Sequence, residues 1–305
     1  MNLLQKYIIY PLTGVISLIL YSLNVFICFV SLICVLGISI FVGTQKIKKI
    51  YYYLPMLWAD ISRKIFHLNK KMKIDVKFIG EQISLNSQDF YLVMANHQSW
   101  SDILVMAYVF NRKIPMLKFF AKKQLLWLPL IGQICWLYGF PFLHRHSQAE
   151  LKKNPEWRKR DIMATKKACE RFKESPGSLA IYAEGTRFSE KKRLLQQSPF
   201  QFLLKPKAGG LSIALSCMED RIKTLLDVTI VYPKMNYYTF WDYCCGNIGK
   251  IMVFVKPLKI PENLRGDRES EPEYKLRFQK FINQQWQEKD ELIRAYYNET
   301  KVKSS

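Results

Sequence analysis

Asn96-His97-Gln98-Ser99-Trp100-Ser101-Asp102 sets an imidazole and a carboxylate five residues apart, directly after the hydrophobic run Phe90–Ala95. Imidazole is the side chain whose ordinary pKa lies nearest neutrality. Held through one ring nitrogen by a carboxylate, it keeps the other free to take a proton from a hydroxyl. Phe90–Ala95 reads as a short buried strand, and Ser101-Asp102 as the opening of a helix carrying Ile103, Leu104, Met106 and Ala107. A sharp turn between the two lets Asp102 fold back onto His97. One such pair is weak evidence alone, since His97 could equally be a core histidine. A second motif strengthens it: Glu184-Gly185-Thr186-Arg187 stands after another apolar run, Leu179–Ala183.

Holding both motifs in place takes a sheet. Strands are expected at Ile74–Ile79, Phe90–Ala95, Met116–Ala121, Gly139–Leu143, Leu179–Ala183, Val228–Tyr232 and Ile251–Val255. Helical stretches separate them at Ser101–Phe110, Lys123–Tyr138, Glu156–Lys173 and Lys207–Met218. This alternation predicts an α/β fold with a largely parallel sheet flanked by helices. After the loop Pro261–Pro272, the residues Phe278, Phe281, Ile282, Trp286, Leu292, Ile293 and Tyr296 form an apolar stripe at helical spacing. That helix is expected to pack on the domain, with the membrane surface as its alternative resting place.

The chain has 305 residues, a formal charge of +21 and a pI near 9.6. An anionic partner surface follows: nucleic acid, acidic lipid or a phosphorylated substrate. The N-terminus selects among them. No charged residue occurs from Tyr7 to Gln45, a run longer than the roughly 20 residues that one crossing requires. A membrane-embedded segment is expected there, as one long tilted helix or as a hairpin broken near Ser22–Asn24. Lys46, Lys48, Lys49, Arg63, Lys64, Lys70, Lys71, Lys73 and Lys77 follow it, so the positive-inside bias puts the rest of the chain in the cytoplasm. The organisation expected is a membrane segment at 1–45, a basic interfacial helix at 46–73, the α/β domain at 74–262, and a C-terminal amphipathic helix and tail at 263–305. Leu125–Leu143 is also free of charge, but Pro129, Gly132, Gly139 and Pro141 interrupt it. A crossing there would part His97 from Glu184 by a bilayer, so it is expected to be a core helix dipping into the near leaflet. The seven cysteines show no C-x-x-C pair, and reduced thiols are expected in a cytoplasmic domain.

Taken together, the motifs resemble the glycerolipid acyltransferases that acylate 1-acylglycerol-3-phosphate and other lysophospholipids. Asn96–Asp102 is similar to their N-H-x4-D block. Ala121-Lys122-Lys123-Gln124-Leu125 resembles the A-K-x-E-L segment, and Gly139-Phe140-Pro141-Phe142-Leu143-His144-Arg145 the G-x-x-F-I-D-R block. Glu184–Arg187 matches the end of F-P-E-G-T-R, and Asp227-Val228-Thr229-Ile230-Val231-Tyr232-Pro233 the fourth block, a strand ending in proline. Glu184-Gly185-Thr186-Arg187-Phe188-Ser189-Glu190-Lys191-Lys192 looks most like the branch of lysophosphatidic-acid and lysocardiolipin acyltransferases. Gln124, His144 and Tyr182-Ala183 depart from the common pattern, which bears on headgroup preference and leaves the dyad intact.

The resemblance implies the glycerolipid acyltransferase fold and an acyl transfer from a thioester to a lysophospholipid hydroxyl. His97 would be the general base and Asp102 the carboxylate that orients it. Arg187 would grip the acceptor phosphate, with Glu184, Gly185 and Thr186 shaping its loop and Arg145, Lys122 and Lys207 adding positive charge. The partners implied are the lysophospholipid, acyl-CoA or acyl carrier protein, and anionic membrane lipids; no cofactor or metal is expected. A bacterial inner membrane is the first expectation for the compartment. Each residue also has a plainer role: Arg187 could form a structural salt bridge, Arg145 could face lipid, and Trp100 could simply pack. Two other functions compete. A thioesterase or lysolipid hydrolase could use the same dyad, although no G-x-S-x-G elbow is present. A basic membrane-tethered nucleic-acid module would need an RRM, KH or zinc-finger signature, and none is found.

Overall fold

The computed structural model describes residues 3–143, 176–218, 221–222, 224–233, 238–264 and 272–302, with scattered positions between 154 and 170. Among the described residues eight strands run β1 (Lys73–Phe78), β2 (Phe90–Ala95), β3 (Leu117–Phe119), β4 (Ala121–Lys122), β5 (Phe142–Leu143), β6 (Gly177–Tyr182), β7 (Thr224–Val231) and β8 (Lys250–Lys259). Six of them form one sheet in the order β1-β8-β7-β2-β6-β3, and β4 pairs with β5 beside it. Every pairing is parallel except β7 with β8. The expected largely parallel α/β sheet is therefore present. Its central strands are mostly apolar because both faces are covered: Tyr91–Ala95 in β2 and Leu225–Val231 in β7 are entirely buried, with Asp227 and Thr229 the polar residues of β7 in that stretch.

Helices are numbered α1 (Tyr10–Val42), α2 (Thr44–Leu68), α3 (Asp102–Phe110), α4 (Ile131–Leu137), α5 (Glu190–Leu195), α6 (Gly209–Met218), α7 (Phe240–Cys244) and α8 (Pro272–Val302). One face of the sheet packs on α6, α8 and Phe200–Leu203; Phe278, Ile282, Trp286 and Ile293 of α8 are buried in that layer. The C-terminal helix thus lies on the domain, as its stripe implied. The other face packs on α2, α3 and α7, with Tyr21 of α1 joining them. The helix expected at Glu156–Lys173 lies mostly outside the described residues.

One expectation is settled and two need correction. First, of the two geometries expected for the N-terminal run the single long helix is the one present and the break near Ser22–Asn24 is not: α1 is continuous there, and the reversal comes at Gly43, with φ of 82°. Asn24 is no breaker because α2 satisfies it: its Nδ2 donates to Trp58 O and Ser62 Oγ, both at 3.0 Å. α1 and α2 thereby form an antiparallel hairpin whose two ends meet, with Lys71 Nζ 3.4 Å from Tyr10 Oη. Second, Lys123–Tyr138 is not one core helix. A 3-10 turn (Lys123–Trp127) gives way to α4 across Pro129 and Leu130, whose φ is 66°. Gly132 presses on the carbonyls of Leu125 and Leu126, so that a Cβ there would sit 2.4 Å from either oxygen. The apolar residues Trp127, at 85% exposure, and Trp136 turn outward instead of inward. Third, Met116–Ala121 divides between β3 and β4, which belong to different sheets.

Tyr7–Val42 is long and apolar enough to cross a membrane, and most of its surface is exposed. Yet its first turns are also docked. A Cβ on Gly14 would lie 2.6 Å from Cys245 Sγ and 2.8 Å from Trp241, both contributed by the α7 region. Gly14→Leu is therefore expected to prise α1 from α7 and cost about 1–3 kcal/mol. Gly37→Leu, which meets open space, should cost less than about 0.5 kcal/mol. Thermal midpoints of the two variants in detergent micelles check this, and equal midpoints would mean that α1 does not dock on α7.

Candidate active site

Strands β2, β6 and β7 are mutually parallel neighbours, so their carboxyl ends open on one side of the sheet, where open α/β sheets place their ligands. His97 follows β2, Glu184–Arg187 follows β6, and Tyr232 follows β7. Asn96 fixes the first turn. Its side-chain amide donates to Ile230 O at 2.9 Å and accepts from Ile230 N at 2.8 Å, extending the β2–β7 ladder with side-chain atoms. The main chain is thus released to turn at His97 without leaving β7 unpaired.

Within that turn Asp102 folds back as expected. His97 Nδ1 lies 2.8 Å from Asp102 Oδ2, which also accepts the N–H groups of Gln98 (2.7 Å) and Ser99 (3.0 Å). Tyr232 Oη donates to the other oxygen at 2.7 Å. Four donors therefore converge on one buried carboxylate. The matching tautomer carries the proton on Nδ1 and leaves the Nε2 lone pair available. Beneath the imidazole, Tyr182 stacks at 4.1 Å between centroids and 14° between planes, and Phe119 stacks on Tyr182 in turn. Ring position and plane are both fixed, while 14% of the His97 side chain stays open to solvent.

The Glu184–Arg187 loop docks on this turn. Phe188 N donates to His97 O at 2.7 Å, and Gly185 adopts a φ of 70°, which its lack of a Cβ permits. Thr186 and Arg187 lie half-buried at the rim. Lys192 of α5 holds the loop from outside, donating to Thr186 Oγ1 and to Arg187 O, both at 2.9 Å. The Lys207 side chain lies against Gly185: a Cβ there would be 3.6 Å from its Nζ. Lys122 is exposed at the end of β4. Arg145 lies outside the described residues, as do His144 and His146. Trp100 does more than pack. It is 50% exposed, and the Arg187 guanidinium carbon rides 4.8 Å over its ring.

Glu184, at the start of the loop, is fully buried. Burial pushes its carboxyl well above the usual range; Lys289 opposes the rise and Asp102 adds to it. The amides of Leu204 and His97 favour its charged form, but no hydrogen bond of normal geometry reaches either oxygen. Lys289, from α8, is itself sealed in the core and donates to Asp227 Oδ1 (2.7 Å), Val228 O (2.7 Å) and Thr229 Oγ1 (3.1 Å). A carboxyl raised on folding stabilises the fold while protonated, and that contribution is lost as pH rises through its folded value. Glu184→Gln keeps the shape and cannot ionise. Its thermal midpoint relative to the native chain should climb as pH rises above the ordinary carboxylate range. A difference that stays flat as pH rises would show that Glu184 titrates alike in folded and unfolded chains.

Tyr232, Tyr182, Asn96 and Lys192 carry much of this geometry, yet sequence alone gave none of them a role. For Tyr232 the signal was available, since the fourth block ends beside β2. Lys192 stood inside a quoted motif, masked by neighbouring lysines.

The Acyltransferase family model matches residues 75–233, just over half the chain and the stretch that holds most of β1, the dyad, the Glu184 loop and β7. Among curated proteins, the 1-acyl-sn-glycerol-3-phosphate acyltransferase of Saccharomyces cerevisiae is 28% identical over 219 residues, covering 72% of this chain and 63% of the yeast protein. The 1-acyl-sn-glycerol-3-phosphate acyltransferase epsilon of Mus musculus is 24% identical over 247 residues, with the same coverage of 72% and 63%. The chain thus spans a little under two thirds of the length of these relatives. The crystal structure of the 1-acyl-sn-glycerophosphate (LPA) acyltransferase from Thermotoga maritima superposes with a TM-score of 0.49 at 17% identity, over 94% of this chain and 97% of that one. On the family match, which takes in the N-H-x4-D turn and the E-G-T-R loop in one continuous stretch, the chain belongs to the acyltransferase family.

Proposed function

We propose that this chain moves a fatty acyl group from an acyl thioester to the free hydroxyl of a lysophospholipid, with 1-acyl-glycerol-3-phosphate as acceptor and phosphatidic acid as product. The observation that carries the reading is the His97–Asp102 pair, with Nδ1 engaged, beside a loop furnished with Arg187, Lys192 and Lys207. His97 Nε2 takes the acceptor hydroxyl proton as its oxygen attacks the thioester carbonyl. Asp102 stabilises the imidazolium that forms. The new C–O bond displaces the C–S bond, and the departing thiolate takes the proton from His97. No enzyme nucleophile is needed, so transfer is direct. The donor thiol is coenzyme A or acyl carrier protein, and no cofactor takes part.

Arg187 takes the acceptor phosphate through its fork, a geometry that an ammonium does not offer. Its seat over Trp100 pre-sets the guanidinium. The α1–α2 hairpin, together with exposed Trp127, Leu128, Ile131 and Trp136, presents an apolar and aromatic face suited to a bilayer. The acyl chain enters along Leu125–Leu143. The lysines after α1 favour anionic lipid and a cytoplasmic location for the domain.

The test offers membranes carrying the full chain a panel of lysophosphatidic acid, lysophosphatidylglycerol and lysocardiolipin, each with acyl-CoA or acyl carrier protein, and reads products by mass spectrometry. Phosphatidic acid as the main product is expected. Release of free fatty acid without any acylated lipid would make the chain a hydrolase instead.

A further inference from the structure

Lys192 braces the Glu184–Arg187 loop and also brings a positive charge beside it. It lies on the short helix α5, half-buried, and its ammonium spends two of three donors on Thr186 Oγ1 and Arg187 O. Among the described residues no carboxylate lies within ion-pair distance of it. Its neighbours are cations: partial burial lowers its pKa, and Arg187 and Lys122 lower it further. Positive groups gathered this closely repel one another, and an anion bound among them lowers the cost. Glu184 opposes the lowering of the Lys192 pKa in part, but it is sealed in the core, where burial favours its neutral form.

We infer that Lys192, the ammonium bonded to both Thr186 and the Arg187 carbonyl, is a further ligand of the acceptor phosphate and selects a phosphomonoester over a phosphodiester. The inference rests on the proposed acceptor reading. A phosphomonoester brings close to two negative charges and three terminal oxygens, matching Arg187 with two ammonium groups. A diester brings one charge and two such oxygens, and leaves one cation unpaired in a half-buried site.

The test compares the native chain with Lys192→Met and Lys192→Arg on 1-acyl-glycerol-3-phosphate and on its glycerol diester, 1-acyl-glycerol-3-phosphoglycerol. Lys192→Met should lose about 10–100-fold in kcat/KM on the monoester, mainly through KM, and under about threefold on the diester. Lys192→Arg should restore most of the loss. Equal losses on the two acceptors, carried by kcat, would make Lys192 a prop for the loop and overturn the inference. Calorimetric binding of the monoester to micellar protein separates the two readings. If the native chain binds it but never acylates it, and Lys192→Met binds more weakly, the phosphate site stands and the acceptor reading falls. If the two proteins bind it equally, or neither binds it, Lys192 is no phosphate ligand.

Discussion

His97→Ala is expected to lower the initial rate of acyl transfer by about 10²–10⁴-fold, the usual worth of a positioned general base. The fold should survive, because the turn does not depend on the imidazole. Asp102 keeps the amides of Gln98 and Ser99 and the Tyr232 hydroxyl, and Asn96 still bridges to Ile230. The cavity left behind lies at a partly open position, where water can replace the lost Nδ1 donor. Rates with lysophosphatidic acid and acyl-CoA, beside a thermal midpoint, separate lost chemistry from lost structure. A rate within about threefold of the native chain, at an unchanged midpoint, would remove His97 from the mechanism.

The sequence made much of this site legible because its parts are local. His97 and Asp102 sit in one turn, and an apolar strand before a polar turn before an amphipathic helix is a pattern that period and composition both report. Glu184–Arg187 repeats the same arrangement at β6. The unread parts are long-range. Tyr232 reaches Asp102 across 130 residues, and Lys289 enters the core below Glu184 from a helix whose apolar stripe explains its packing but not that lysine. Nothing in a lysine flanked by Glu288 and Asp290 distinguishes a buried ammonium from a solvated one. Lys123–Tyr138 misled for a physical reason. Its hydrophobic run reads as one helix, whereas Pro129 and the positive φ of Leu130 split it into a 3-10 turn and α4, with Trp127 and Trp136 facing outward. The N-terminal run stayed open between one long helix and a hairpin broken at Ser22–Asn24 because a polar residue inside an apolar run reads as a break until its partner, here Ser62 on α2, is known.

Asp102→Asn should be as damaging as loss of the base, for a different reason. Three donors converge on Oδ2 and one on Oδ1. An amide has one oxygen and one NH2, so one side of the substituted side chain must present hydrogens where the native site presents only acceptors. If the oxygen stays toward His97, the NH2 meets the Tyr232 hydroxyl, which can rotate to accept. The tautomer then survives, but the negative charge that stabilises the imidazolium is gone. If the amide flips, its NH2 faces Nδ1 and moves the ring proton to Nε2, leaving no base toward the acceptor. Either way a fall of about 10²–10⁴-fold is expected. Tyr232→Phe is the calibrating variant: it removes one donor and keeps the charge, and should cost no more than about tenfold. Initial rates of the two variants on lysophosphatidic acid make the comparison. An Asp102→Asn chain that retained a third or more of the native rate would mean that the stack on Tyr182 alone orients His97, and that the charge at Asp102 plays no part in the transfer.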